Sequence, residues 1–84
     1  MKKVIFLLLL GKRMNSAVET QKVLTEFGCI IKTRLGLHNL SDNQCEESGL
    51  VILEVQGEPG QQKEFRKKLS RIRGVNLKIV ELKI

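Results

Sequence analysis

Positions 4–10 are all apolar. A strand that is apolar on both faces belongs inside a sheet covered on both sides. Those seven residues reach roughly 23 Å as a strand but only about 10 Å as a helix, too short to cross a bilayer. Residues 11–15 form a polar loop, and Ser16-Ala17-Val18-Glu19 then has the spacing of a capping box. In that arrangement the Ser16 hydroxyl accepts from the third helical N–H while Glu19 reaches back. Ala17, Thr20, Leu24 and Phe27 share one helical stripe with Val23 beside it, and Gly28 is the stop signal.

Residues 29–38 return to a two-residue period. Ile31, Thr33, Leu35 and Leu37 point one way, and Ile30, Lys32, Arg34, Gly36 and His38 the other. The polar stretch 39–49, centred on Ser41-Asp42-Asn43, predicts a long hairpin loop. Residues 50–56 predict a third strand, with Val51, Leu53 and Val55 opposed to Leu50 and Ile52. Gly57-Glu58-Pro59-Gly60 opens a second helix with Pro59 near its first position, and Phe65, Leu69 and Ile72 at i, i+4, i+7 form its buried stripe. Arg73-Gly74 ends that helix, and residues 75–84 predict a last strand, with Val75, Leu77 and Ile79 alternating against Asn76, Lys78 and Val80.

The halves echo each other: Leu24-Thr25-Glu26-Phe27 precedes Gly28 much as Leu69-Ser70-Arg71-Ile72 precedes Gly74. Two split βαβ units in one domain, residues 1–84, predict an α+β, ferredoxin-like βαββαβ sandwich. Both helices then lie on one face of a four-stranded antiparallel sheet whose first and third strands are central. The first and third strands also offer apolar side chains to the other face. Burying five or six of them contributes about 1.5–3 kcal/mol each, and soluble monomers rarely leave such a patch bare. The expected partner is therefore a second copy, packed through the sheet face or edge, with Leu50, Ile52 and Ile30 as candidate interface residues.

Composition narrows the chemistry. Phe6, Phe27 and Phe65 are the only aromatic residues, which disfavours base-stacking platforms and aromatic cages. The net charge of +6 is unevenly spread: residues 42–58 carry Asp42, Glu46, Glu47, Glu54 and Glu58 with no Lys or Arg, and the basic excess sits on the second helix. Lys63, Lys67 and Arg71 recur every four residues there, so the alternative reading is a nucleic-acid-binding module using that basic face. The two cysteines have no CxxC spacing and suit a reduced, cytoplasmic protein. Gly11-Lys12-Arg13 stands where a signal peptide would need small residues.

A candidate anion-binding site lies at the first helix, whose N-terminal N–H groups are flanked by Lys12, Arg13, Asn15 and Ser16. Arg34, expected on the open sheet face, and His38 near the end of the second strand are further candidate ligand contacts. His38 and Cys45, with Asp42, Glu46 and Glu47 nearby, match no metal-ligand template, and no catalytic dyad is visible. No cofactor, metal or enzymatic activity is expected.

With its Lys3-Val4-Ile5-Phe6-Leu7-Leu8 strand, its Arg34-Leu35-Gly36-Leu37 stretch and its ending from Leu69-Ser70-Arg71-Ile72 through Gly74-Val75-Asn76-Leu77-Lys78, the chain resembles the family of regulators of the iron-only hydrogenase system. These are small ACT-like domains similar to the C-terminal domain of the nickel-responsive repressor. The resemblance implies a regulatory or sensory domain that oligomerises and binds a small ligand. Two departures limit what it carries over. The first loop, Gly11-Lys12-Arg13-Met14-Asn15-Ser16, lacks the Asp/Asn-x-x-Gly pattern of amino-acid-binding ACT domains. His38 and Cys45 are also too few for the repressor's nickel site. The leading expectation is a non-enzymatic homo-oligomer with ligand pockets at subunit junctions near the first loop and second strand.

Overall fold

A computed structural model gives the element order β1 (Lys2–Leu10), α1 (Met14–Glu26), a 3₁₀ turn (Gly28–Ile30), β2 (Ile31–Ser41), β3 (Gln44–Val55), α2 (Pro59–Ser70) and β4 (Val75–Lys83). The structure describes residues 1–11, 14–41 and 44–84, with side chains described at 1–11, 16–36 and 49–84. The sheet runs β2-β3-β1-β4 with every neighbour antiparallel, a ferredoxin-like α+β fold. The two doubly apolar strands are central, as their sequences require.

On the helix-covered side, Val4, Phe6, Leu8 and Leu10 of β1 meet Leu53 and Val55 of β3 in the core. Leu24 of α1 and Phe65, Leu69 and Ile72 from α2 and its C-terminal turn close it from above. Phe65 stacks on both Phe6 and Phe27, with ring centroids 5.2 and 4.9 Å apart. The entry to α2 follows from its sequence. Glu58 is the N-cap and exchanges hydrogen bonds with the Gln61 backbone and side chain, and Pro59 fills the first turn. Gly57 before it has φ +99°, and a Cβ there would sit 2.6 Å from Ile30 Cγ2, so only glycine fits.

Four expectations are corrected. α1 begins at Met14, so Ser16 lies inside the helix and is not its cap; the buried stripe is Ser16, Thr20 and Leu24, and Ala17 is exposed. Cys29 and Ile30 belong to the 3₁₀ turn, and Ile30 is 5% exposed in the core, so it cannot serve as an interface residue. A bulge around Lys32 separates the pairs Ile31–Val55 and Thr33–Glu54, which puts Ile31 on the helix side but Thr33 and Leu35 on the open side. Finally, the polar stretch expected as a loop is mostly paired: β2 continues to Ser41 and β3 starts at Gln44, so the hairpin ladder runs on past the other strands. Backbone pairing needs no apolar side chains, and a polar composition therefore hid these strand ends.

Candidate functional site

The open face of the sheet is read from the strand register. Thr33, Glu54, Ile5 and Val80 form one cross-strand row, and Leu35, Ile52, Leu7 and Lys78 the next. Leu50 and Leu9 continue the apolar area into a third row that ends at Asn76. Among the described residues no helix covers these side chains: Leu9 is 49% and Leu35 50% exposed. At one end, Lys3 Nζ lies 2.9 Å from Glu54 Oε2, and Thr33 Oγ1 donates to Glu54 Oε1 at 3.3 Å. The hydrogen bond from Lys3 holds the Glu54 carboxyl below its ordinary value, and the same bond raises the Lys3 ammonium. The face is thus a greasy centre with one ion pair at its rim.

On the opposite side, α1 and α2 do not reach the outer flank of β4, whose Val75, Leu77 and Ile79 are only half-buried. A groove follows that flank. Its first lobe, about 850 Å³, runs from Gly11 and Gly74 past Leu77 to Ile79 and Arg66. Its second lobe, about 580 Å³, shares Arg66 and Ile79 and continues to Lys63, Gly57, Lys2 and Glu81. The floor is apolar and the rim basic; Glu81, the groove's one carboxylate among the described residues, is paired with Lys2 at 3.3 Å. No sequence motif announced this groove. The visible signal was an alternating β4 with more apolar side chains than α2 alone covers.

Of the expected ligand contacts, only Ser16 and Arg34 have described side chains. Lys12 and Arg13 lie outside the described residues, and so do the side chains of Asn15, His38 and Cys45; by backbone, Asn15 is in α1 and His38 pairs with Gly49. Ser16 is 2% exposed, and its hydroxyl donates to the Arg73 carbonyl at 2.6 Å. It therefore fastens α1 to the turn before β4 and does not present itself to a ligand. Arg34 lies opposite Leu53, on the helix side, and its guanidinium donates to Gln21 Oε1 at 2.7 Å, which corrects its expected place on the open face. The bulge at Lys32 is the physical reason, because it inverts the alternation after Ile31. Leu50 and Ile52 do occupy the open face. Lys63, Lys67 and Arg71 are exposed along α2 and its end.

Among the described residues no group of three or more His, Cys, Asp and Glu side chains could hold a metal ion. No helix among them is long and apolar enough to cross a membrane. Known protein-family profiles do not match the chain, and neither does any curated protein. Solved structures do. An uncharacterized protein from Thermotoga maritima superposes with a TM-score of 0.81 at 23% identity, over 99% of this chain and 100% of that one. CPII, a nitrogen regulatory PII-like protein from Thiomonas intermedia, gives 0.61 at 13% identity over 100% of this chain and 92% of that one. The same protein bound to ADP, AMP and acetate gives 0.60 at 10% identity, over 99% and 88% of the two chains. These likenesses show the fold.

Proposed function

We propose that the chain is a small, non-enzymatic regulatory domain that works as a homo-oligomer and binds a small ligand at junctions between copies. The observation that carries this reading is the uncovered apolar face around Leu7, Ile52, Leu35 and Leu9. Four strands about 4.8 Å apart, the shortest of them nine residues long at about 3.3 Å each, present a flat area on the order of 500–600 Å². Two such faces together bury about 1,000 Å², the threshold for a specific interface. A ligand seated between two copies then favours the packing in which it makes more contacts, which is how binding becomes a signal. The sequence resemblance to the iron-only hydrogenase system regulators supports the regulatory role. So does the likeness in fold to a PII-like protein solved with ADP, AMP and acetate.

Sedimentation velocity across micromolar concentrations tests it. The wild-type chain is expected as a dimer or larger, and Ile52→Lys as a folded monomer of unchanged helix content. A wild-type chain that stays monomeric at high micromolar concentration overturns the reading. A thermal-shift screen with amino acids, nucleotides and metal ions then identifies the ligand class.

A second reading keeps the basic face of α2 as a nucleic-acid contact. Lys63, Lys67 and Arg71 are exposed and have no ion pair among the described residues, whereas their neighbour Lys68 is bound to Glu26. Salt-dependent binding of DNA or RNA that disappears when these three are neutralised would favour it.

A further inference from the structure

The unpaired edge of β4 and the groove beside it are built from the same residues. β4 closes one end of the sheet and, among the described residues, pairs only with β1. Gly11 N–H donates to the Gly74 carbonyl at 2.7 Å, and at the other end Ile84 N–H donates to the Met1 carbonyl at 3.0 Å. Bonded pairs recur at every second residue of an antiparallel ladder. The register Lys2–Lys83 through Leu10–Val75 is unbroken, so Asn76, Lys78, Val80 and Leu82 bond inward to β1. Leu77, Ile79 and Glu81 therefore turn their N–H and C=O groups outward, and their side chains face the groove.

A strand flanked by a helix, with outward backbone groups and an apolar channel between the two, is the geometry in which extended peptides add to a sheet edge. The other edge, β2, is broken by register shifts at residues 31–33 and 38–40. β4 has no bulge and no proline along its nine residues; of the devices that discourage strand addition it carries charged side chains, Lys78, Glu81 and Lys83. Charge selects the occupant. Arg66 stands at the junction of the two lobes and Lys63 lines the second; neither has an ion-pair partner among the described residues, while Glu81 is neutralised by Lys2.

We propose that β4 is a docking edge for an extended, acidic segment of a partner protein, which adds as a fifth strand. Its main chain bonds Leu77, Ile79 and Glu81. Alternate side chains enter the groove, the apolar ones onto Leu77 and Ile79 and a carboxylate against Arg66 or Lys63. The outward backbone groups of β4 and the second lobe lie apart from the open sheet face, which the first lobe meets at Leu9 and Asn76.

The probe is a fluorescent octapeptide alternating Glu and Val, compared with its Lys–Val counterpart by anisotropy, with amide hydrogen exchange read at single residues. The acidic peptide is expected to bind at least tenfold more tightly, and Lys63→Glu/Arg66→Glu to abolish that preference. Both side chains are exposed, so the variant should fold, and its unchanged melting point checks this. On binding, exchange should slow at Leu77, Ile79 and Glu81, while Asn76, Lys78 and Val80 are already slow in the free protein. Equal affinity for both peptides, or no binding at millimolar peptide, overturns the proposal, as does protection confined to β2. Protection of the same three amides that rises with protein concentration alone would also overturn it, because a second copy would then own the edge.

Discussion

β1 carries two apolar surfaces made from the same kinds of residue, and they have opposite fates. Phe6 and Leu8 are 1% and 0% exposed under the helices, whereas Leu9 on the other side is 49% exposed and Ile5 and Leu7 are half-buried. Composition does not separate them; cover does. The helix side is finished within one chain, because Phe65, Leu69 and Leu24 fill the space above β1 and β3. The open side has rows of leucine, isoleucine and valine with no helix above them among the described residues. One face stores stability, and the other is where the proposed association would be stored.

The sharpest way to break that comparison is to truncate neighbouring leucines of β1 in parallel. Leu8→Ala should cost about 2–5 kcal/mol, since a fully buried leucine leaves a cavity the core cannot collapse into. Its loss should not depend on protein concentration. Leu7→Ala should cost well under that in the isolated chain, and its effect should grow with concentration as association is lost. Denaturant melts at two concentrations tenfold apart separate the two behaviours. Equal, concentration-independent losses would mean that the faces do not differ in kind.

A smaller effect is expected at Ser16, on the seam between the closed face and the groove. Its buried hydroxyl bonds the Arg73 carbonyl across the chain, so Ser16→Ala should cost about 1 kcal/mol. Were Ser16 a ligand contact, the variant would instead keep its melting point and lose a ligand-induced shift. Thermal melts with and without ligand distinguish the staple from the binding site.

The legible part of the molecule was the part governed by periodicity. Doubly apolar β1 and β3 had to be central, and Phe65, Leu69 and Ile72 on one stripe of the second helix had to face them. What the sequence hid was set by single residues or by backbone alone. One bulged residue, Lys32, sends Arg34 to Gln21 on α1 and away from the open face, and no periodic reading detects a skipped beat. Ile30 looked like a strand residue free for an interface, yet it packs beside Gly57 in the core. The outer half of the hairpin is polar and still laddered, because its pairing is made by main-chain groups. The groove was hidden for a related reason: it is a gap between α2 and β4, and a gap leaves no residue pattern of its own.

The rim of the open face supplies the most delicate test, through pH. The bond from Lys3 lowers the Glu54 carboxyl below its ordinary value of 4.5, and Thr33 also donates to that carboxylate. A depressed carboxyl stabilises the fold above its unfolded value, and that contribution is lost as pH falls through the folded one. The Lys3 ammonium, raised above 10.5, makes its contribution below that pH and loses it only in strong alkali. Glu54→Gln should therefore be slightly less stable than the wild-type chain at pH 7, and the gap should narrow as pH falls below about 4.5 and close as it passes through the lower folded value, where the wild-type carboxylate protonates. Both groups are solvent-accessible, so the difference should be small and should shrink further in high salt. If association encloses this rim, the gap at pH 7 widens at concentrations where the chain is assembled. A gap independent of concentration would place Lys3 and Glu54 outside the shared interface and confine that interface to the rows around Leu7 and Ile52.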